Sequence, residues 1–192
     1  MVAPATRCWV ISHGHSRRFS CRISKFPGFE RISTIGAQSF IATGGSLVNE
    51  YGYDHYQAWG DPGHTLEVQN VTVPRSGRYA VQLFAGNGAG GFTTGVTCAV
   101  KRIEVFQGNT LVDSGYAMMP HLETWNAWRE SSFVFVDLAA GNSYRIVISE
   151  DGYAVNMSER AHFEIYGGTG GTGGRFNRVN IAQVKLLGTS LQ

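Results

Sequence analysis

No apolar run in this chain approaches the roughly 18 residues that a membrane helix needs, so no bilayer-spanning helix is expected. Cysteine is scarce: Cys8, Cys21 and Cys98 make an odd count with no dense spacing, which excludes a disulfide-held scaffold. Charge is scarce too, at 16% of residues and a net of +2, and six of the Lys/Arg fall in Met1 to Arg31 against Glu30 alone. The rest of the chain is therefore slightly acidic, which argues against a nucleic-acid partner and assigns the basic character to a tail. Long amphipathic helices are absent. What is plentiful is glycine, 25 of 192 residues, with 12% aromatics and many Val/Thr/Ile/Phe runs, the composition of an all-β domain with elaborate loops.

Residues 1–31 show no periodicity and read as a tail or linker, with the folded domain at 32–192. Within the tail, Ser16-Arg17-Arg18 starts like a twin-arginine export signal, but no apolar segment or small-residue cleavage site follows, so it is rejected as a signal. His13-Gly14-His15 offers two imidazoles without a third ligand and makes no metal site by itself.

Strand patterns follow at short intervals: Thr34 to Ala42, Ser46 to Val48, His64 to Val73, Arg78 to Ala85, Val96 to Val105, Thr110 to Val112, Ser132 to Leu138, Ser143 to Ser149 and Asn180 to Leu187. Turn signals separate them at Gly44-Gly45, Pro74 to Gly77, Gly108-Asn109 and Ala140 to Asn142, so an antiparallel two-sheet β-sandwich is expected. Val134, Val136 and Leu138 share a face, as do Tyr144, Ile146 and Ile148, and those faces should meet a second sheet. Leu66 and Val68 are out of phase with Val71 and Val73, which predicts a bulge near Gln69-Asn70. Gly86 to Gly95 and Glu150 to Val179 are long connections, where binding groups usually sit. The second holds Tyr153, Asn156, His162 and Tyr166.

The segment Pro120 to Trp128 carries two tryptophans three residues apart beside Pro and Asn. Indole faces left in water are costly unless they pack or bind, and the C–H face of a pyranose stacks on an indole while amides and hydroxyls bond its rim. This points to sugar binding. Trp125, between Thr124 and Asn126, reads as the exposed stacking residue, and Trp128 as the one packed inward. The alternative is that either or both plug the end of the sandwich.

Val73-Pro74-Arg75-Ser76-Gly77-Arg78-Tyr79, Phe84-Ala85-Gly86-Asn87-Gly88, Trp125-Asn126-Ala127-Trp128, Leu138-Ala139-Ala140-Gly141 and Asn180-Ile181 occur in an order that resembles the family 6 and family 35 carbohydrate-binding modules, over about Ser33 to Leu187. The resemblance implies a galactose-binding-like jelly roll, secreted and attached to a polysaccharide-degrading enzyme. It also implies a site of two aromatics and an amide at the start of the last strand. Trp125 and Asn180 match one aromatic and the amide; Tyr56, then Trp59, with Tyr53 also in contention, are the expected second aromatic, and Asn87, Asn126 and His162 join the candidate ligand-binding residues. The family's structural calcium is implied as well, but the corresponding positions read Gly36, Gln38 and Ala182, which offer no carboxylate.

Gly168 to Gly173 formally satisfies G-x-G-x-x-G, yet strand rather than helix follows, so a flexible loop is the reading. A glycosidase needs two opposed carboxylates. Asp54, Asp61, Glu123, Glu130, Glu150, Asp151 and Glu159 all fall in or near loops, and no G-x-S-x-G or H-E-x-x-H is present. His64, His121 and His162 are spread over three loops. The expectation is a non-catalytic module binding a polysaccharide or oligosaccharide, with no catalytic residues; a polysaccharide-active enzyme on the same sandwich and a protein-binding adhesion domain are the alternatives.

Overall fold

A computed structural model describes residues 28–88, 98–149 and 178–189. Twelve strands run through them: β1 (Glu30–Gly36), β2 (Ile41–Thr43), β3 (Ser46–Glu50), β4 (Tyr53–Trp59), β5 (Thr65–Val71), β6 (Gly77–Gly86), β7 (Cys98–Gln107), β8 (Thr110–Pro120), β9 (Arg129–Glu130), β10 (Val134–Leu138), β11 (Tyr144–Ser149) and β12 (Val179–Gly188). β1 thus begins two residues before the expected start of the domain. The one helical element among the described residues is a single 3₁₀ turn, Ala37–Ser39.

The strands form two antiparallel sheets, as alternation predicts. Five strands line up as β2-β5-β11-β7-β8; the other sheet has seven, in the order β10-β6-β12-β4-β3, with β9 extending the β10 edge and β1 sharing β12 with β4. Between the sheets lies the core, built from Val81 and Leu83 of β6, Val184 and Leu186 of β12, and Ile103, Ile146 and Ile148 opposite. The faces read from alternation, Val134/Val136/Leu138 and Tyr144/Ile146/Ile148, both point into it.

Local chemistry sets the register. Across β5, Val68 faces Ile146 and Val71 faces Tyr144, so β5 carries one extra residue where a bulge was expected. Asn70 takes the left-handed conformation there, φ 58°, which Asn tolerates better than most residues. The bulge returns Val71 to the core side with Leu66 and Val68. β7 and β8 pair from Cys98↔Pro120 to Gln107↔Thr110. β8 is therefore much longer than its apolar pattern suggested, because Gly115 sits where a Cβ would come within 2.7 Å of a Val134 methyl, leaving little alternation to read.

β4 did not read as a strand. Tyr53, His55 and Gln57 face outward and Tyr56 faces the core beside Phe40, with ring centroids 6.3 Å apart. Strict alternation would then turn Trp59 outward. Ala58 prevents this by adopting φ 53°, which flips the phase and buries Trp59 completely. Trp59→Ala is expected to cost about 3 to 5 kcal/mol, the range for removing a buried Trp, measured by denaturant unfolding.

Candidate functional site

A cavity of about 240 Å³ lies at the rim of the seven-stranded sheet, lined by Tyr51, Gln57, Ala58, Trp125, Arg178 and Asn180. Each wall has a local cause. Tyr51 and Gly52 are the two-residue turn between β3 and β4, closed by the pair Glu50↔Tyr53, and both have positive φ, 54° and 84°. That is the turn whose twist matches a hairpin, and a bulky Tyr in its first position is strained. Backbone strain of this kind concentrates at functional sites. The Tyr51 ring stacks 5.9 Å above the buried His55.

Trp125 sits in the connection between β8 and β9 and is 37% exposed. Two glycines allow its backbone to lie against the end of β6. A Cβ on Gly86 would fall 2.7 Å from the Trp125 carbonyl oxygen, and one on Gly88 would fall 2.6 Å from the Trp125 nitrogen. Asn180, at the start of β12 and nearly buried, donates from Nδ2 to the Trp125 carbonyl at 3.3 Å. The amide thus pins the loop with its Nδ2 edge.

The structure brings Trp125 and Asn180 to one cavity and separates the remaining candidates. Tyr56 and Trp59, expected as the second aromatic, point into the core, Tyr56 by alternation and Trp59 because Ala58 reverses the phase of the strand. The aromatic that lines the cavity together with Trp125 is Tyr51. Its signal in the sequence was the density of aromatics over Tyr51 to Trp59, four in nine residues. Tyr53 lies on the outer sheet face, edge-on to Phe84 at 5.1 Å and to Trp128 at 5.3 Å. Trp128 is not an interior residue either: it is half-buried on that outer face, stacked on Phe84 at 5.8 Å, with Nε1 donating to the Tyr51 carbonyl at 3.1 Å. It thereby holds the strained turn in place.

Asn87 and Asn126 shape the Trp125 loop without lining the cavity. Asn87 is buried, its Nδ2 donates to the Met119 carbonyl at 3.1 Å, and its backbone carbonyl accepts from the Leu122 N–H at 2.7 Å. Asn126 accepts from the Thr124 hydroxyl at 2.6 Å. His162 and the 150–177 segment lie outside the described residues. Gln57, Ala58 and Arg178 were missed by sequence reasoning, which had assigned 178 to a long loop.

At the positions where the resemblance implies calcium, Gly36 ends β1 and Ala182 is buried. Gln38 donates from Nε2 to Asp54 Oδ2 at 2.5 Å, and Asn49 donates from Nδ2 to Oδ1 of the same carboxylate at 2.6 Å. Both Asp54 oxygens therefore accept amide N–H groups, and Gly36, Gln38 and Ala182 supply no carboxylate for calcium. No group of three His, Cys, Asp or Glu suited to a metal occurs among the described residues.

On the outer face, Lys185 Nζ bonds Glu130 Oε1 at 2.8 Å and lies 4.4 Å from the centre of the Phe84 ring. The Lys185 hydrogen bond holds the Glu130 carboxyl below the usual carboxylate range. Because the folded state lowers this pKa, the pair's contribution is present at neutral pH and lost as pH falls through that range.

At the level of sequence, no protein-family model and no curated protein matches the chain. Its fold does match. A family 35 carbohydrate-binding module from Clostridium thermocellum superposes with a TM-score of 0.55 at 18% identity, covering 82% of this chain and 99% of that one. The C-terminal family 6 module of LamC, from Zobellia galactanivorans, matches with a TM-score of 0.50 at 14% identity, over 81% and 98%. This is the jelly roll of the family 35 and family 6 carbohydrate-binding modules. A cycloisomaltooligosaccharide glucanotransferase from Paenibacillus sp., complexed with cycloisomaltoheptaose, contains the same jelly roll, with a TM-score of 0.56 at 17% identity. The match covers 80% of this chain and 18% of the glucanotransferase, so the jelly roll is a small part of that enzyme.

Two outcomes are expected from this geometry. Melting temperature should be the same in millimolar calcium and in excess chelator, read by scanning calorimetry; a resident ion at a hundredfold excess over its Kd would add about 2.7 kcal/mol. Glu130→Gln should lower stability by less than about 1 kcal/mol at neutral pH, as for exposed pairs, and the difference from wild type should vanish on acidification.

Proposed function

We propose that this chain is a non-catalytic carbohydrate-binding module whose cavity takes a sugar ring between Tyr51 and Trp125. The observation that carries the reading is an exposed indole and an exposed phenol ring lining one small cavity together with the amide of Asn180. Aromatic faces take the C–H side of a pyranose, and the amide and guanidinium groups at the rim bond its hydroxyls. Gln57 adds a second amide.

An enzyme reading fares worse on the same geometry. Hydrolysis of a glycosidic bond needs two carboxylates facing each other across the sugar. None of the described residues lining the cavity is a carboxylate, and the nearby Asp61 is bound to Arg178. The saccharide partner is a polysaccharide or an oligosaccharide cut from one. An attached catalytic domain is the second partner, since tethering raises the effective concentration of an enzyme on its substrate. The setting is extracellular, where such polymers are met; no helix of the described residues is long and apolar enough to cross a membrane.

Trp125→Ala and Tyr51→Ala should each weaken glycan binding at least about tenfold, a loss of roughly 1.4 kcal/mol or more. Affinity electrophoresis against soluble xylans, glucans, mannans and pectins measures this. Trp125→Ala should shift the unfolding midpoint little, since the ring is over a third exposed. Incubation with the same polymers should release no new reducing ends. Turnover that disappears on mutating one loop carboxylate would sink the binding-module reading.

A further inference from the structure

One side of the cavity is closed by an ion pair that a sugar-stacking site does not require. Arg178, immediately before β12, lines the cavity, and its Nε donates to Asp61 Oδ1 at 2.6 Å while Nη2 bonds Oδ2 of the same carboxylate. This side-by-side pairing is the strongest geometry available between a guanidinium and a carboxylate. Asp61 is itself a constructed partner. It sits in the turn between β4 and β5, where Gly60 and Gly63 take φ of 118° and 85°. The His64 N–H donates to the Asp61 carbonyl at 3.0 Å, and His64 Nδ1 accepts the backbone N–H of both Gly60 and Asp61 at 3.3 Å. The imidazole lies over Gly44, where any Cβ would come within 2.2 Å of it. Gly44, His64 and the turn therefore hold Asp61 behind Arg178, and the carboxylate does not itself line the cavity.

An unpaired Arg in that wall would be a dock for a sugar carboxylate, because its planar fork matches two carboxylate oxygens. Here the Nε/Nη2 edge is already occupied, and an incoming anion would also meet the negative charge of Asp61. What remains for a ligand is the Nη1 group, which bonds no other group among the described residues and suits a neutral hydroxyl. We propose that the Arg178–Asp61 pair sets the sugar class of this site, admitting neutral saccharides and disfavouring uronates, with Asp61 as the specificity-determining residue behind Arg178. The inference rests on the cavity being the saccharide site.

The test titrates the folded protein with neutral oligosaccharides of glucose, xylose and mannose, and with xylo-oligosaccharides bearing glucuronic acid, at about 50 and about 500 mM salt. Wild type should bind a neutral member at least about tenfold more tightly than the glucuronate-bearing set, with affinity flat in salt. Asp61→Asn should shift the uronate-to-neutral affinity ratio upward by about tenfold and make uronate binding salt-sensitive. Adding Arg178→Gln to Asp61→Asn should remove that gain. Salt-sensitive preference of wild type for glucuronate would overturn the inference while leaving the carbohydrate reading intact, and this measurement stands even where Asp61→Asn fails to fold. An unchanged ratio in a folded Asp61→Asn protein would overturn it equally. If neither set binds wild type, the carbohydrate reading itself fails and the inference with it.

Discussion

The arrangement depends on β12. This last strand hydrogen-bonds β6 along its whole length on one side, and on the other it is shared, with its C-terminal part paired to β1 and its N-terminal part to β4. A register shift between Ile181 and Gln183 makes the sharing possible, and it lets Val179 and Ile181 face the core before the shift while Val184 and Leu186 face it afterwards. Without that irregularity one half of the strand would turn its apolar residues to solvent. Its consequence for the site is direct: Asn180 comes to stand beside the Trp125 carbonyl, and Arg178 beside the β4 to β5 turn. The first chain contacts of the cavity are thus consequences of core packing.

A second constraint is the absence of side chains at Gly86 and Gly88. The Trp125 loop rests on them at distances no Cβ would permit, and Asn87 between them ties the same loop to β8 through Met119 and Leu122. The indole is exposed, but the backbone carrying it is held as firmly as a strand end. The Tyr51 wall is built differently. Tyr51 stays in its strained turn because Trp128 bonds its carbonyl and His55 supports its ring from below. For the sugar ring proposed to sit between them, two aromatic walls fixed in advance would reduce the ordering cost of binding.

Charge in this chain is placed sparingly and in pairs. Arg145 bonds Glu67 across β11 and β5, Lys185 bonds Glu130 on the outer face, and Arg178 bonds Asp61 at the cavity. The first joins neighbouring strands, the second reaches from β12 across β6 to β9, and each is worth little. The third differs by its place, since a guanidinium that lines a cavity governs what charge the cavity accepts. The amide pair on Asp54 belongs to the same economy: Gln38 and Asn49 satisfy a carboxylate with neutral donors.

Alternation alone determined most of the fold. Val134/Val136/Leu138, Tyr144/Ile146/Ile148 and the phase break at Gln69-Asn70 were legible because a side-chain period of two leaves one solution for an amphipathic strand. Trp125 and Asn180 were legible as candidates from the chemistry of their surroundings. The second aromatic was not, because Tyr56 faces the core by ordinary alternation and Ala58, in a left-handed conformation, turns Trp59 to the same side three positions later. Nothing in the composition of that segment announces the flip. Trp128 was misplaced for a related reason: a half-buried ring on an outer sheet face and a core ring have the same local sequence, and only the neighbours Tyr53, His55 and Phe84 distinguish them. The sequence by itself decided which residues alternate into strands. Only the tertiary structure decided that Tyr51 and Arg178, 127 positions apart in the chain, border one cavity, because that proximity comes from β12 pairing beside β4, a long-range contact that no local pattern encodes.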